Sequence, residues 1–307
     1  MILLYARNVN YMRQKCEQGT KISRIDAMKN ADALQCPRTA GNENTALIKL
    51  VAIFFMLIDH VGVVIFAING VRPNPNIYNE MRLLGRIAMP LFCWGIVVGT
   101  EYTRNIWIYF LRILAVGVVS QFCFMFGLNH SIGQLNVFAT LGLGVLAIAG
   151  IRWKRWGSQV WMPLLAFFTA LMVEMDYGWR GVALVLILYG CRKSRSALAA
   201  GFTAYCLYLG LVYGSYPHAF GVQKAALTIP WMKYGSDLTN LFFQVEFWAI
   251  LALPLILIPM KSRLRIPKWI GYGVYPFHLF VLGVIRHWNE IVAAVTSWTG
   301  AGTPPLS

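Results

Sequence analysis

Nine apolar runs set the terms for this chain, at about 46–68, 83–100, 107–127, 136–151, 159–174, 180–190, 197–213, 241–260 and 270–289. A helix needs roughly 20 residues to cross a bilayer, and most of the runs approach that length. The pattern reads as an all-α polytopic membrane bundle of about eight or nine transmembrane helices. Three runs (136–151, 159–174 and 180–190) are short, so they are buried in the bundle, re-entrant, or extended by polar flanks. Composition excludes the main alternative. Of 307 residues, 58% are hydrophobic and 13% charged, with a mean hydropathy of +0.56. A soluble domain carries about 25% charged residues, so a soluble enzyme is ruled out.

The charge balance gives orientation. Lys and Arg number 27 against 12 Asp and Glu, a net charge of +15. Such an excess can mark a nucleic-acid partner. Here most of it lies in segments 1–45, 101–106, 152–158, 191–196 and 261–269, every other connector and so all on one side of the membrane. That is the positive-inside signature. It predicts a cytoplasmic N-terminus, nine helices with the C-terminus outside, and no nucleic-acid partner. The expected organisation is a flexible cytoplasmic tail over 1–45, a transmembrane domain over 46–289 and a short tail over 290–307. Met28 is an alternative start. The longest polar excursion, 214–240, faces outward on this topology and suits a lid or a docking surface.

The six cysteines (Cys16, Cys36, Cys93, Cys123, Cys191 and Cys206) have no CxxC spacing, which leaves zinc and redox readings without support. No HExxH, GxSxG or P-loop pattern occurs. The informative residues are ionisable groups placed where a membrane makes them costly. Lys49, Arg112 and Arg286 lie near helix ends and can snorkel to the interface. Glu246 is as near an end but reaches less far.

Asp59 and His60 sit well inside the first run. Adjacent helix positions diverge by about 100°, so the two face different partners. His278 lies near the midplane of the last run, beside Pro276, which opens the hydrogen-bond ladder. Either histidine could instead be structural, bonded to a carbonyl. Arg86 is suited to hold a carboxylate, phosphate or oxyanion, or to snorkel outward. Asn136 and Thr140 share a helix face and either line a cavity or bind a neighbouring helix. Asp176-Tyr177-Gly178-Trp179-Arg180-Gly181 reads as a tight outer turn with an Asp–Arg pair. Together these groups suggest acid–base chemistry or a proton path.

The ordered motifs resemble the TraX family. They are Leu57-Ile58-Asp59-His60-Val61-Gly62, Gly85-Arg86-Ile87-Ala88-Met89-Pro90-Leu91-Phe92, Ser120-Gln121 with Leu135-Asn136-Val137-Phe138-Ala139-Thr140, Asp176-Tyr177-Gly178, and Tyr275-Pro276-Phe277-His278-Leu279. The chain departs from the family pattern at Trp179-Arg180, and 1–45 lies outside the resemblance.

The resemblance implies an enzyme of the bacterial inner membrane, an acetyltransferase that modifies the N-terminus of a pilin or fimbrial subunit in pilus assembly or conjugation. It is also distantly similar to transmembrane acyltransferases that draw on cytosolic acyl-CoA. On that footing acetyl-CoA is a cosubstrate rather than a tightly bound cofactor, and no metal is expected. His60, Asp59 and His278 are the expected catalytic group. Arg86, Asn136, Thr140 and Tyr177 are expected at the oxyanion or substrate. Arg152, Lys154, Arg155, Arg192, Lys193 and Arg195 are expected to attract the cosubstrate's phosphates, unless they are plain positive-inside charge. The partners would be the lipid bilayer and a pilin that docks by 69–82 and 214–240. The alternatives are a non-catalytic pilus-assembly factor, and a proton-coupled transporter or flippase.

Overall fold

A computed structural model describes residues 38–66, 75–212, 218–219, 222–223, 244–260, 266–288 and 290–292. Each of the nine expected apolar runs carries a helix. Asn44 starts α1 (Thr45–Ile65) by accepting a hydrogen bond from the Leu47 amide. The second run starts earlier than hydropathy alone predicts. It divides into α2 (Pro75–Gly85) and α3 (Ala88–Tyr102). Pro90 explains the break, because its ring clashes with the carbonyl four residues back, at Arg86. The Arg86 and Ile87 amides bond three residues back instead, to Leu83 and Leu84. As one kinked segment, Asn76–Tyr102 spans 27 residues. The expected docking segment 69–82 is thus helical over 75–82, and 69–74 lies outside the described residues.

Asn105 caps α4 (Ile106–Leu128), and Asn129, at φ 56°, ends it in the left-handed region that asparagine tolerates. Next come α5 (Val137–Trp153), α6 (Ser158–Met172), α7 (Gly178–Cys191) and α8 (Arg195–Val212). A two-residue ladder pairs β1 (His218–Ala219) with β2 (Val222–Gln223). The rest of 214–240 lies outside the described residues. The eighth run is a 3-10 turn over Glu246–Ala252, followed by α9 (Leu253–Leu257). Pro254 has no amide to donate to the Ile250 carbonyl. The Leu253 amide takes that carbonyl in the tighter pattern. The last run is α10 (Lys268–Arg286), with Pro276 inside it.

Among the described residues, four helices are long and apolar enough to cross a membrane, and five shorter apolar ones accompany them. The buried core centres on α3, where Leu91, Cys93, Trp94 and Val97 are fully enclosed. The outside is apolar as well. Phe54, Leu111, Val118, Phe122, Leu164, Phe168, Leu211 and Phe277 are exposed. A soluble monomer rarely presents such a belt, whereas a lipid bilayer accepts it.

The short helices have a geometric cause. The Asn136 side chain, at the start of α5, bonds the Gly117 carbonyl (2.7 Å) and Gln121 Oε1 (2.9 Å). Those positions lie about 10–16 Å below the C-terminal end of α4 at 1.5 Å rise per residue. The connector 129–136 therefore dips into the bundle. The connector before α7 joins it, through Leu135 N to the Glu174 carbonyl (3.0 Å) and Asp176 N to the Leu135 carbonyl (2.9 Å). Gln121 supplies further bonds, to the Gln134 carbonyl (2.8 Å) and from the Asn136 amide (3.0 Å). Irregular backbone at this depth is tolerated only when its polar groups are paired within the protein.

The expected tail 1–45 is not uniform. Residues 1–37 lie outside the described residues, but 38–44 pack as a strap across the end of the bundle where α1 begins, here the near end. The Asn42 amide bonds the Ile256 carbonyl (2.7 Å), and Trp94 Nε1 donates to the Asn42 carbonyl (2.6 Å). Tyr102 donates to Glu43 (2.6 Å).

Candidate functional site

Two histidines from opposite ends of the sequence meet in the far half of the bundle. His60 of α1 and His278 of α10 stack with ring centroids 5.0 Å apart, and His60 Nδ1 lies 2.7 Å from His278 Nε2. Both are buried, at 9% and 7% exposure. Their hydrogen bonds fix the tautomers. A carbonyl only accepts, so His278 Nδ1, 2.8 Å from the Val274 carbonyl, carries a proton. In the neutral ring, His278 Nε2 is then an acceptor, and His60 Nδ1 donates to it. His60 Nε2 is left as the basic nitrogen of the pair.

Asp59 points away from His60, as the helix geometry requires. It pairs with Arg82 (2.5 Å) and Arg86 (3.4 Å). Arg86 also reaches Glu246 (3.3 Å), which in turn meets Arg180 (3.5 Å). This chain of five charges ties α1, α2, the kink at Arg86, the 3-10 turn and α7 together. Gly85 permits it. A Cβ there would fall on the Asp59 side chain, so only glycine lets α2 approach α1 this closely.

Several expected assignments change. Arg86 does not snorkel. It is 7% exposed, and its guanidinium donors go to Asp59, Glu246 and the Arg82 carbonyl. Burial without such partners would be prohibitive, so the charge network is what holds Arg86 in place. Tyr177 is held at φ 62°, with its ring facing the Arg86 guanidinium at 5.6 Å. Asn136 is the N-cap of α5, accepting from the Phe138 amide (3.0 Å), and both its amide hydrogens are used. Thr140 donates to the Asp176 carbonyl (2.5 Å) and so holds the α7 connector rather than lining a cavity. Arg180, of the expected Asp–Arg turn, reaches Glu246 (3.5 Å).

The cationic group at the near end is also engaged. Arg192 bonds Glu101 (2.8 Å) and the Tyr189 carbonyl (2.6 Å). Lys193 donates to the Arg38 carbonyl (2.7 Å), and Arg195 to the Ala40 carbonyl (3.0 Å). Arg152 donates to the Thr100 carbonyl. These four side chains bond strap and helix-end carbonyls. Lys154 and Arg155 are exposed.

A different cationic opening exists at the same end. Lys49 and Arg112 line a groove of about 420 Å³ between α1, α4 and α10, with Thr45, Pro267, Gly271 and Tyr272. Eleven helical positions separate Lys49 from His60, a net turn of only about 20°. Gly271 and His278 are likewise seven positions apart. The groove and the histidine pair thus lie on one interhelical seam, about 16 Å apart along α1. Lone cations near helix ends carry no sequence signal for such a groove, because it takes three helices to form it.

Among the described residues, no three His, Cys, Asp or Glu side chains are grouped to hold a metal ion. The family model described as TraX protein matches residues 44–286, which include every side chain of the histidine pair and the charge network. The chain belongs to the TraX family. Among curated relatives of this TraX chain is the "Probable fimbrial assembly protein FimC, serogroup H1" of Dichelobacter nodosus. It is 28% identical over 160 residues, covering 49% of this chain and 63% of the relative. The match therefore spans less than two thirds of that relative's length. No solved structure matches.

Proposed function

We propose that this TraX-family chain is an inner-membrane acetyltransferase that moves an acetyl group from acetyl-CoA to the N-terminal amine of a pilin or fimbrial subunit. The observation that carries the reading is the His60–His278 pair, with His60 Nε2 left basic in a buried site. A general base must present a lone pair within reach of the proton it removes. The loop charges support a near end that faces the cytoplasm, where acetyl-CoA is available. Its phosphates would meet Lys49 and Arg112 at the groove mouth. The acyl arm would follow the seam toward His60. The acceptor would arrive from the far half, on the side of His60 away from the groove. Asp59 acts by holding Arg82 and Arg86, not by orienting His60.

One observation favours a second reading. The relative from Dichelobacter nodosus carries the name of an assembly protein, which fits a pilin-binding factor that does no chemistry. Intact-mass spectrometry of surface pilins from cells with and without the gene separates the two. Acetylation predicts that the mass of one acetyl group disappears from the pilin N-terminus when the gene is deleted. Unchanged pilin mass sinks it, and lost pili of unchanged mass support the assembly factor.

A further inference from the structure

The side chains expected to meet a substrate carbonyl are engaged in holding the fold. Asn136 and Thr140 spend their hydrogens within the protein, and each nitrogen of the Arg86 guanidinium already serves a partner. One hydroxyl beside the histidines does not. Tyr275 of α10 is 6% exposed, and its phenolic oxygen is buried beside the Val137 amide at the start of α5, with no group accepting its proton. A buried polar group left unpaired costs about 1–3 kcal/mol, and buried tyrosine hydroxyls usually find partners. Phenylalanine would fill the same space without that cost. The ring stands edge-on to His278 (5.5 Å) and His60 (6.3 Å). It also packs edge-on against Phe138 (5.1 Å) in the first turn of α5, whose N-terminus favours negative charge.

We propose that the Tyr275 hydroxyl is the donor that receives the acyl carbonyl oxygen beside His60, which makes Tyr275 a catalytic residue. The proposal rests on the acyl-transfer reading. The acceptor amine attacks the thioester carbon and a C–N bond forms. The carbonyl π pair moves onto oxygen, where the Tyr275 O–H stabilises it by a hydrogen bond and keeps its own proton. His60 Nε2 takes the amine proton. The intermediate collapses, the C–S bond breaks, and the leaving thiolate takes that proton from His60.

The test uses the purified full chain in lipid vesicles, with acetyl-CoA and unmodified pilin. Tyr275→Phe should lower kcat by about 10²–10³-fold, the usual effect of removing one oxyanion donor. KM for acetyl-CoA should stay unchanged, and thermal stability should stay equal or rise. A wild-type rate in Tyr275→Phe, with the wild type active, overturns the proposal and leaves the acyl-transfer reading standing. Reduced thermal stability also overturns it, because the hydroxyl would then hold the fold. No transfer by the wild type overturns the acyl-transfer reading itself.

Discussion

The two charged regions of the molecule are built in opposite ways. At the near end, Lys193 and Arg195 donate to main-chain carbonyls of the strap, while Arg192 holds Glu101 at the end of α3. Those contacts are partly exposed, and they replace hydrogen bonds to water. In the far half, Arg86 is enclosed between Asp59 and Glu246, side chain to side chain, at 8% exposure, and Arg82 and Arg180 brace those carboxylates from more open positions. There each charge depends on its partner. The same residue types thus serve as a latch in one place and as an interlocked support in the other. Burial decides which.

That difference is open to measurement. Asp59→Ala leaves two arginines with one carboxylate fewer, and should cost about 3–5 kcal/mol of stability, as breaking a buried ion pair does. Thermal unfolding in detergent reads this, and a loss below that of a surface variant would break the comparison. Gly85→Ala sets a methyl group on Asp59, with an expected cost of about 1–3 kcal/mol from overpacking. The same assay in an Asp59→Ala background should show a smaller cost, because the obstructed side chain is gone.

Arg195→Ala should have the smallest effect, about 1 kcal/mol or less. Its signature is easier proteolysis around residue 40. Raised salt should shrink that difference by screening the exposed contacts, while leaving the Asp59→Ala deficit in place.

Which features were legible in the sequence follows from the range of each signal. The nine runs were visible because apolar length is a local property, and the second helix gained its extra turns from polar residues that hydropathy does not count. The divergence of Asp59 and His60 also followed from a helix angle alone. Their partners did not, since His278 lies 218 positions away and Glu246 lies 160 positions from Arg86. Asn136 and Thr140 were singled out for the right polarity, but what they hold is the dipped connector, a structure that no run length announces. Arg192, Lys193 and Arg195 stand out in the sequence only as loop charge. Their contact with the strap was hidden because a polar N-terminal segment reads as a tail. Tyr275 appeared only within a motif, and its unpaired hydroxyl is a property of packing.

The account turns on His60 as the base for acetyl transfer. The most direct measurement is the intact mass of pilins from deletion cells complemented with either the wild-type chain or His60→Ala, at equal levels in the membrane. The wild type should restore the acetyl group at the pilin N-terminus, and His60→Ala should not. Equal acetylation by both chains, or by neither, would contradict the account.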